Sequence, residues 1–381
     1  MKIDRIETFL VPPRWLFLKV TTDSGIVGWG EPVVEGRART VATAIEEMSD
    51  LLIGQDPLRI EDLWQTMTRT TFYRGGPVFA SAVAGVDQAL WDIAGKHRNA
   101  PVHELLGGPV RDRLRVYAWI GGDKPGAITE HAQLRRAQGY TAVKMNLAGP
   151  TTPIDSFQNV NTICRRVETA RDAMGDENDV ALDFHGRLTV AMAKRVLREL
   201  EPLQPFFVEE PVRPEFTAQL ASVTASTTIP IATGERLYSR WDFAPALASG
   251  IAIAQPDISH AGGISEVRRI ASCAEVYDVH LAPHCPLGPI AFAASVQAAL
   301  AIPNFLIHEY GFDMHYNIGT EYLDYLLDIE PFKMVNGFIA RPTGPGLGIE
   351  VDELAVRTAA KTGHEWKTPI WRLPDGSLTE W

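Results

Sequence analysis

Polar and apolar positions alternate along "KIDRIETFLV" (residues 2–11) and "LFLKVTTD" (16–23), and after the turn "DSG" a third short apolar stretch, "IVGWGEP", follows. A period of two sends successive side chains to opposite faces of a strand, so this region predicts an antiparallel three-stranded meander. The period then lengthens, predicting helices over about 38–52, 58–68 and 78–96. The last, containing "SAVAGVDQALWDIAGK", is small and apolar on more than one side and is expected to be well buried. Together these elements form an α+β unit of about one hundred residues, a common size for a small domain.

Beyond "GGPVRDR" (107–113) the pattern becomes a regular alternation. Short β-rich runs read "LRVYAWI", "TAVKMNL", "VALDFHG", "PFFVEEP", "IPIATGE", "IAIAQPDIS", "VHLAPHCP" and "FLIHEYG", with amphipathic helical stretches between them. Eight such runs predict a closed parallel (β/α)8-type barrel. An open doubly wound sheet is the competitor, but no G-x-G-x-x-G follows an early strand.

Composition narrows the field. Hydrophobic residues make up 45% of the 381-residue chain, as in an ordinary globular protein, and the net charge of −11 argues against a nucleic-acid-binding surface. Cys164, Cys273 and Cys285 are too few and too irregular for a disulfide framework or a structural zinc site, which favours a reducing, cytoplasmic setting. The first residues lack the apolar core of a signal peptide, and no stretch is long enough to span a membrane.

Barrel chemistry gathers at the C-terminal ends of the strands. Those ends carry Lys144 and Asn146, then Asp183 and His185, Glu209, Glu235, Asp257, His284 and Glu309. Asp183, Glu209 and Glu235 are equally spaced, each interval being one β–α step. Three carboxylates facing one space repel unless a cation neutralises them, and an all-oxygen set favours Mg²⁺. Asp257 and His284 end neighbouring strands and form a candidate general base, the carboxylate orienting the imidazole. If "VALDFHG" is strand throughout, Asp183 and His185 share a face, so His185 is placed to protonate a departing β-hydroxyl. Glu309, if protonated, is placed to donate to a substrate carboxylate. The chemistry these groups suit is abstraction of the proton next to a carboxylate. His97, His103, His131, His280, His308, His315 and His364 lack such partners and read as structural; His308, adjacent to Glu309, should face the other way. Arg14, Trp15, Tyr73 and Arg74 lie in Gly- and Pro-flanked loops suited to a lid that contacts distal hydroxyls.

The motifs "GWGEP", "DQALWDI", "LDFHGR", "VEEPV", "QPDISHAGGI", "LAPHCPLGPIA" and the "WRLPDGSLTEW" tail resemble the enolase superfamily, mandelate racemase subgroup, and within it the bacterial D-galactonate dehydratases. The resemblance spans nearly the whole chain. It implies a modified TIM barrel, (β/α)7β, with residues 1–113 as an α+β capping domain, 114–335 as the barrel and 336–381 returning to the cap. It implies Mg²⁺ on Asp183, Glu209 and Glu235, a His284 base assisted by Asp257, a His185 acid and transition-state stabilisation by Glu309. It also implies a small sugar-acid substrate and a homo-oligomer. Many relatives in the subgroup carry K-x-K on the second barrel strand; here Asn146 replaces the second lysine. An amide cannot remove a proton, so one-base elimination is expected over racemisation or epimerisation, with Lys144 left to hold the substrate carboxylate and Asn146 to contact a hydroxyl. Another aldonate or aldarate is the alternative substrate, for example D-gluconate, which differs from D-galactonate only at C4.

Overall fold

Three antiparallel strands, β1 (Ile3–Val11), β2 (Trp15–Thr22) and β3 (Val27–Gly30), form the expected meander. The computed structural model describes the chain except residues 122–126, 148, 313, 315–316 and 318–322, so His315 lies outside the described residues. Three helices follow: α1 (Ala38–Leu52), α2 (Ile60–Arg69) and α3 (Pro77–Arg98). Helix α2 starts later than the periodicity suggests because Asp56 Oδ1 accepts the Leu58 N–H, holding the chain in a turn. Helix α3 starts with Pro77 in its first turn and stops at left-handed Asn99, with basic residues in its last turn. It lies so close to β3 that a Cβ at Gly30 would sit 2.0 Å from Gly85 O.

After a short α4 (Val102–Leu105), eight parallel strands alternate with seven helices. In order these are β4 (Arg113–Trp119), α5 (Ile128–Ala137), β5 (Ala142–Asn146), α6 (Phe157–Met174), β6 (Asp179–Asp183), α7 (Val190–Leu200), β7 (Val208–Glu209) and α8 (Leu220–Thr224). Then come β8 (Ile231–Thr233), α9 (Arg240–Leu247), β9 (Ile253–Ala254), α10 (Gly263–Glu275), β10 (His280–Leu281), α11 (Pro289–Ala301) and β11 (His308–Tyr310). Strands β4 to β10 pair in sequence and β11 pairs with β4, giving the (β/α)7β barrel. One side chain from, or bordering, each strand fills the interior: Tyr117, Ala142, Ala181, Phe207, Ala232, Ile253, Ala282 and Ile307. Large and small residues share this layer, so the barrel is packed and any cleft must lie above it.

The hairpin β12 (Met334–Val335) and β13 (Phe338–Ala340) pairs antiparallel with the start of β4, at the opposite end of the barrel. Helix α12 (Glu353–Ala360) ties the later chain to the cap, where Lys19 Nζ lies 2.7 Å from Glu353 Oε1 and Arg357 Nη2 2.9 Å from Glu7 Oε1. The tail ends in the small hairpin β14 (Trp371–Arg372) and β15 (Leu378–Thr379).

The cap grips the barrel through the loops that follow β9 and β10. Asp87 of α3 accepts from Ser265 N and Oγ, Gln88 Nε2 donates to Ser259 Oγ, and Trp64 Nε1 donates to Gly262 O. Just after β3, Glu31 accepts from the N–H groups of Gly288 (2.6 Å) and Ala291 (2.9 Å) at the start of α11. Burial pushes the Glu31 carboxyl up to about 8 although these donors oppose the shift. Among the described residues no helix is long and apolar enough to cross a membrane, and all three cysteines are free thiols.

Candidate active site

The polar strand ends converge as barrel geometry requires. Asp183 and Glu209 close β6 and β7 and face each other in register. Lys144 lies on β5 and Glu309 on β11, whereas Glu235, Asp257 and His284 lie just past β8, β9 and β10. Above the packed interior is a cleft of about 210 Å³, lined on the barrel side by Lys144, Asp183, His185, Glu235, His284 and Glu309.

His284 Nδ1 is 2.8 Å from Asp257 Oδ2. Asp257 is fully buried and its other oxygen accepts from Ser259 N (2.7 Å) and His260 N (3.2 Å), so the carboxylate is held on both sides and leaves His284 Nε2 as the working nitrogen. Nε2 lies 3.3 Å from Glu235 Oε2. Burial alone would depress the imidazole, but Glu235, Asp257 and Glu309 outweigh it and hold His284 well above its usual range.

His185 is not on a strand. β6 ends at Asp183, and His185 occupies a turn with φ of 52°, in the left-handed region. The face-sharing expected of a continuous strand is therefore corrected: Phe184 is buried and the chain turns immediately after it. Asp183 itself sets the turn, its Oδ1 accepting the His185 N–H at 2.6 Å. Both side chains still line the cleft. The His185 ring meets the main-chain oxygen of Trp381 through Nδ1.

Lys144 Nζ bridges two acids, 2.8 and 2.9 Å from the oxygens of Glu209 and 3.0 Å from Glu309 Oε1. For Glu309 the site opposes the protonated form that a donor role would require. Burial would raise its pKa, but Lys144, His284 and the Cys285 N–H overcome this and hold it ionised, below its ordinary value. Glu209 goes the other way, up to about 8, because burial and the charges of Asp183, Glu309 and Glu235 exceed the help from Lys144. That surplus of negative charge is what a divalent cation would relieve, so Asp183, Glu209 and Glu235 suit one as oxygen donors. Among the described residues the group that places potential ligand atoms within 4.8 Å of one another is not the expected set of Asp183, Glu209 and Glu235 but Asp257, His260 and His284. Their mixed nitrogen and oxygen set suits a softer ion, and the bond between Asp257 and His284 is already made.

Arg14 reaches the cleft, donating to Glu35 Oε1 (3.0 Å) and Pro286 O (2.9 Å). The other lid and pocket expectations are not met. Trp15 is buried in the cap against Phe17 and Tyr325, and Asn146 is buried beside Asp183 without lining the cleft. Tyr73 is 88% exposed, and Arg74 turns back to the carbonyls of Arg69 and Thr71 at the end of α2. From this loop region Pro77 lines the cleft instead. Glu35, Arg236, His260 and Trp381 line it without having been singled out from the sequence. His260 had a signal, lying three residues after Asp257 in "QPDISH"; its Nε2 approaches Glu35 Oε2 at 3.4 Å. Glu35 had none, since its role depends on the cap folding over the barrel.

Residues 11–107 match the mandelate racemase/muconate lactonizing enzyme N-terminal domain, and residues 127–355 match the enolase C-terminal domain-like family. The chain is 51% identical, over the full length of both chains, to a D-galactonate dehydratase of Ralstonia pickettii (strain 12J) and equally to one of Variovorax paradoxus (strain S110). Among solved structures, an enolase from Agrobacterium radiobacter bound to Na and L-malate is 32% identical with a TM-score of 0.92, each chain covered completely. A mandelate racemase/muconate lactonizing enzyme from a Sulfitobacter species is 33% identical with a TM-score of 0.90, covering 98% of this chain and 99% of that one.

Proposed function

Because the chain belongs to the mandelate racemase/muconate lactonizing enzyme family of the enolase superfamily, we propose that it is a hydro-lyase converting D-galactonate to 2-dehydro-3-deoxy-D-galactonate. The observation that carries this reading is the 2.8 Å bond between Asp257 and His284 at the edge of a cleft that also holds His185. The full-length identity to two D-galactonate dehydratases supports the substrate, and the L-malate bound by the Agrobacterium structure shows a 2-hydroxy acid accepted on a closely similar fold. Three free thiols suit the cytoplasm.

In this mechanism His284 acts in its neutral form, the Nδ1–H held by Asp257, so that Nε2 takes the C2 proton and the C–H electrons pass into an enediolate. Held by Asp183, Glu209 and Glu235, Mg²⁺ would supply the positive charge that stabilises the enediolate oxygens. Lys144 lines the cleft, and its ammonium would sit at the carboxylate end of the substrate. Glu309, paired with Lys144 at 3.0 Å and lining the same cleft, fixes the ammonium there so that its charge stabilises the enediolate. His185 gives its proton to the C3 oxygen as the C3–O bond breaks, releasing water and leaving a C2=C3 enol that tautomerises to the 2-keto acid. With Asn146 in place of a second lysine, no second base is available on β5, and elimination is favoured over racemisation.

The test is turnover of the purified protein with Mg²⁺ across aldonic and aldaric acids, D-galactonate and D-gluconate included. D-Galactonate alone should give the 2-keto product, and His284→Asn should lose both dehydration and C2 proton exchange. Product from D-gluconate but not D-galactonate would overturn the substrate, and dehydration retained by His284→Asn would overturn the base.

A further inference from the structure

The left-handed turn fixes the backbone of His185 but leaves its ring to be placed by something else. Its N–H is held by Asp183, and the next turn residue, Gly186, donates to Glu210 O at 2.9 Å. Among the described residues the hydrogen-bond partner of the imidazole is the Trp381 main-chain oxygen, 196 positions away in the chain. The Trp381 ring stands edge-on to the imidazole, centroids 5.2 Å apart at 84°. The tail is anchored independently of this contact. Arg213 Nη1 lies 3.2 Å from Glu380 Oε1, Thr379 Oγ1 donates to Thr151 O at 3.2 Å, and the Arg187 guanidinium stacks 4.5 Å over Trp371. His185 and Trp381 also border a second cavity of about 600 Å³, so the tail is a wall between the cleft and that space.

We propose that residues 366–381 form a positioning arm for the general acid, with the Trp381 main-chain oxygen holding His185 Nδ1–H so that Nε2 is the nitrogen presented to the leaving hydroxyl. This rests on the assignment of His185 as the acid. Nδ1–H stays bonded to the same oxygen before and after Nε2 gives up its proton, so the transfer needs no rotation of the ring, the pre-organisation that proton transfer rewards. The arm acts after C2 deprotonation, so its loss should separate the two halves of the reaction.

The experiment measures D-galactonate dehydration and C2 hydrogen–deuterium exchange in D₂O for the full chain, for a variant lacking residues 380–381, for Trp381→Ala and for His185→Gln. Without residues 380–381, dehydration should fall at least 100-fold with little change in KM while C2 exchange persists. Trp381→Ala, which keeps the main-chain oxygen but removes the ring packed against His185, should lower dehydration far less than the loss of residues 380–381 does, with C2 exchange preserved. If the shortened chain does not fold, Arg213→Ala, which frees Glu380, should show the same separation more weakly. Parallel loss of exchange and dehydration, unchanged dehydration, or equal damage by Trp381→Ala would each overturn the proposal. If His185→Gln itself fails to separate exchange from elimination, or the wild type does neither, the acid assignment or the dehydratase reading fails instead.

Discussion

His308 faces away from its neighbour Glu309, as expected for adjacent strand residues: its Nε2 is 2.6 Å from Ser295 Oγ on α11 and its Nδ1 2.6 Å from the Glu309 carbonyl. Burial holds the imidazole neutral, its pKa down to about 4. Between the unfolded value near 6.5 and that folded value, the unfolded chain binds a proton that the folded chain refuses. Stability from this group is therefore full above the window and declines as pH falls through it, by at most ~1.4 kcal/mol per pH unit. Denaturant melts of wild type and His308→Gln from pH 7 to pH 4 should converge as pH falls; parallel curves would show that His308 carries no such linkage. At this scale the sequence made the acidic strand ends legible, because equal spacing in a barrel means equal depth. The conformation of His185 was not legible, because only the folded turn shows Asp183 capturing its N–H.

The contact between β3 and α3 leaves no room for a methyl group: a Cβ at Gly28 would lie 2.1 Å from Ala89 O, and one at Gly30 2.0 Å from Gly85 O. The obstacles are main-chain atoms, so a side chain cannot turn aside to make space. Gly30→Ala should push the helix off the sheet and cost about 1–3 kcal/mol, the range for an overpacked core, lowering the urea midpoint. An unchanged midpoint would mean the two elements can slide apart freely. The periodicities identified the helices and all eight barrel strands, but the apolar runs overshoot the strands. "VALDFHG" continues past Asp183 because Phe184 is fully buried and its N–H still donates to Glu209 O of β7 at 2.9 Å, although the strand ends at Asp183.

At the scale of the molecule, the meander and the barrel could each be read from pattern, but their mutual placement could not. No period in the chain announces that Arg14 and Glu35 close a cleft with His260, or that a tail residue meets His185; those pairings exist only after docking. The resemblance to a known family supplied the capped architecture where periodicity could not. One of the ties across the junction is Glu31, a buried, largely uncharged acid gripping the first amides of α11. Pulling the two layers apart would expose that carboxyl and strip two main-chain N–H groups of their partner at once. Heat should accordingly melt the protein as one cooperative unit with a single calorimetric peak, and Glu31→Ala should split or broaden that peak. A wild-type scan with two separate transitions would show the layers to be thermodynamically independent. A cap that cannot swing away without unfolding obliges the sugar acid to enter by local breathing of the loops around the mouth.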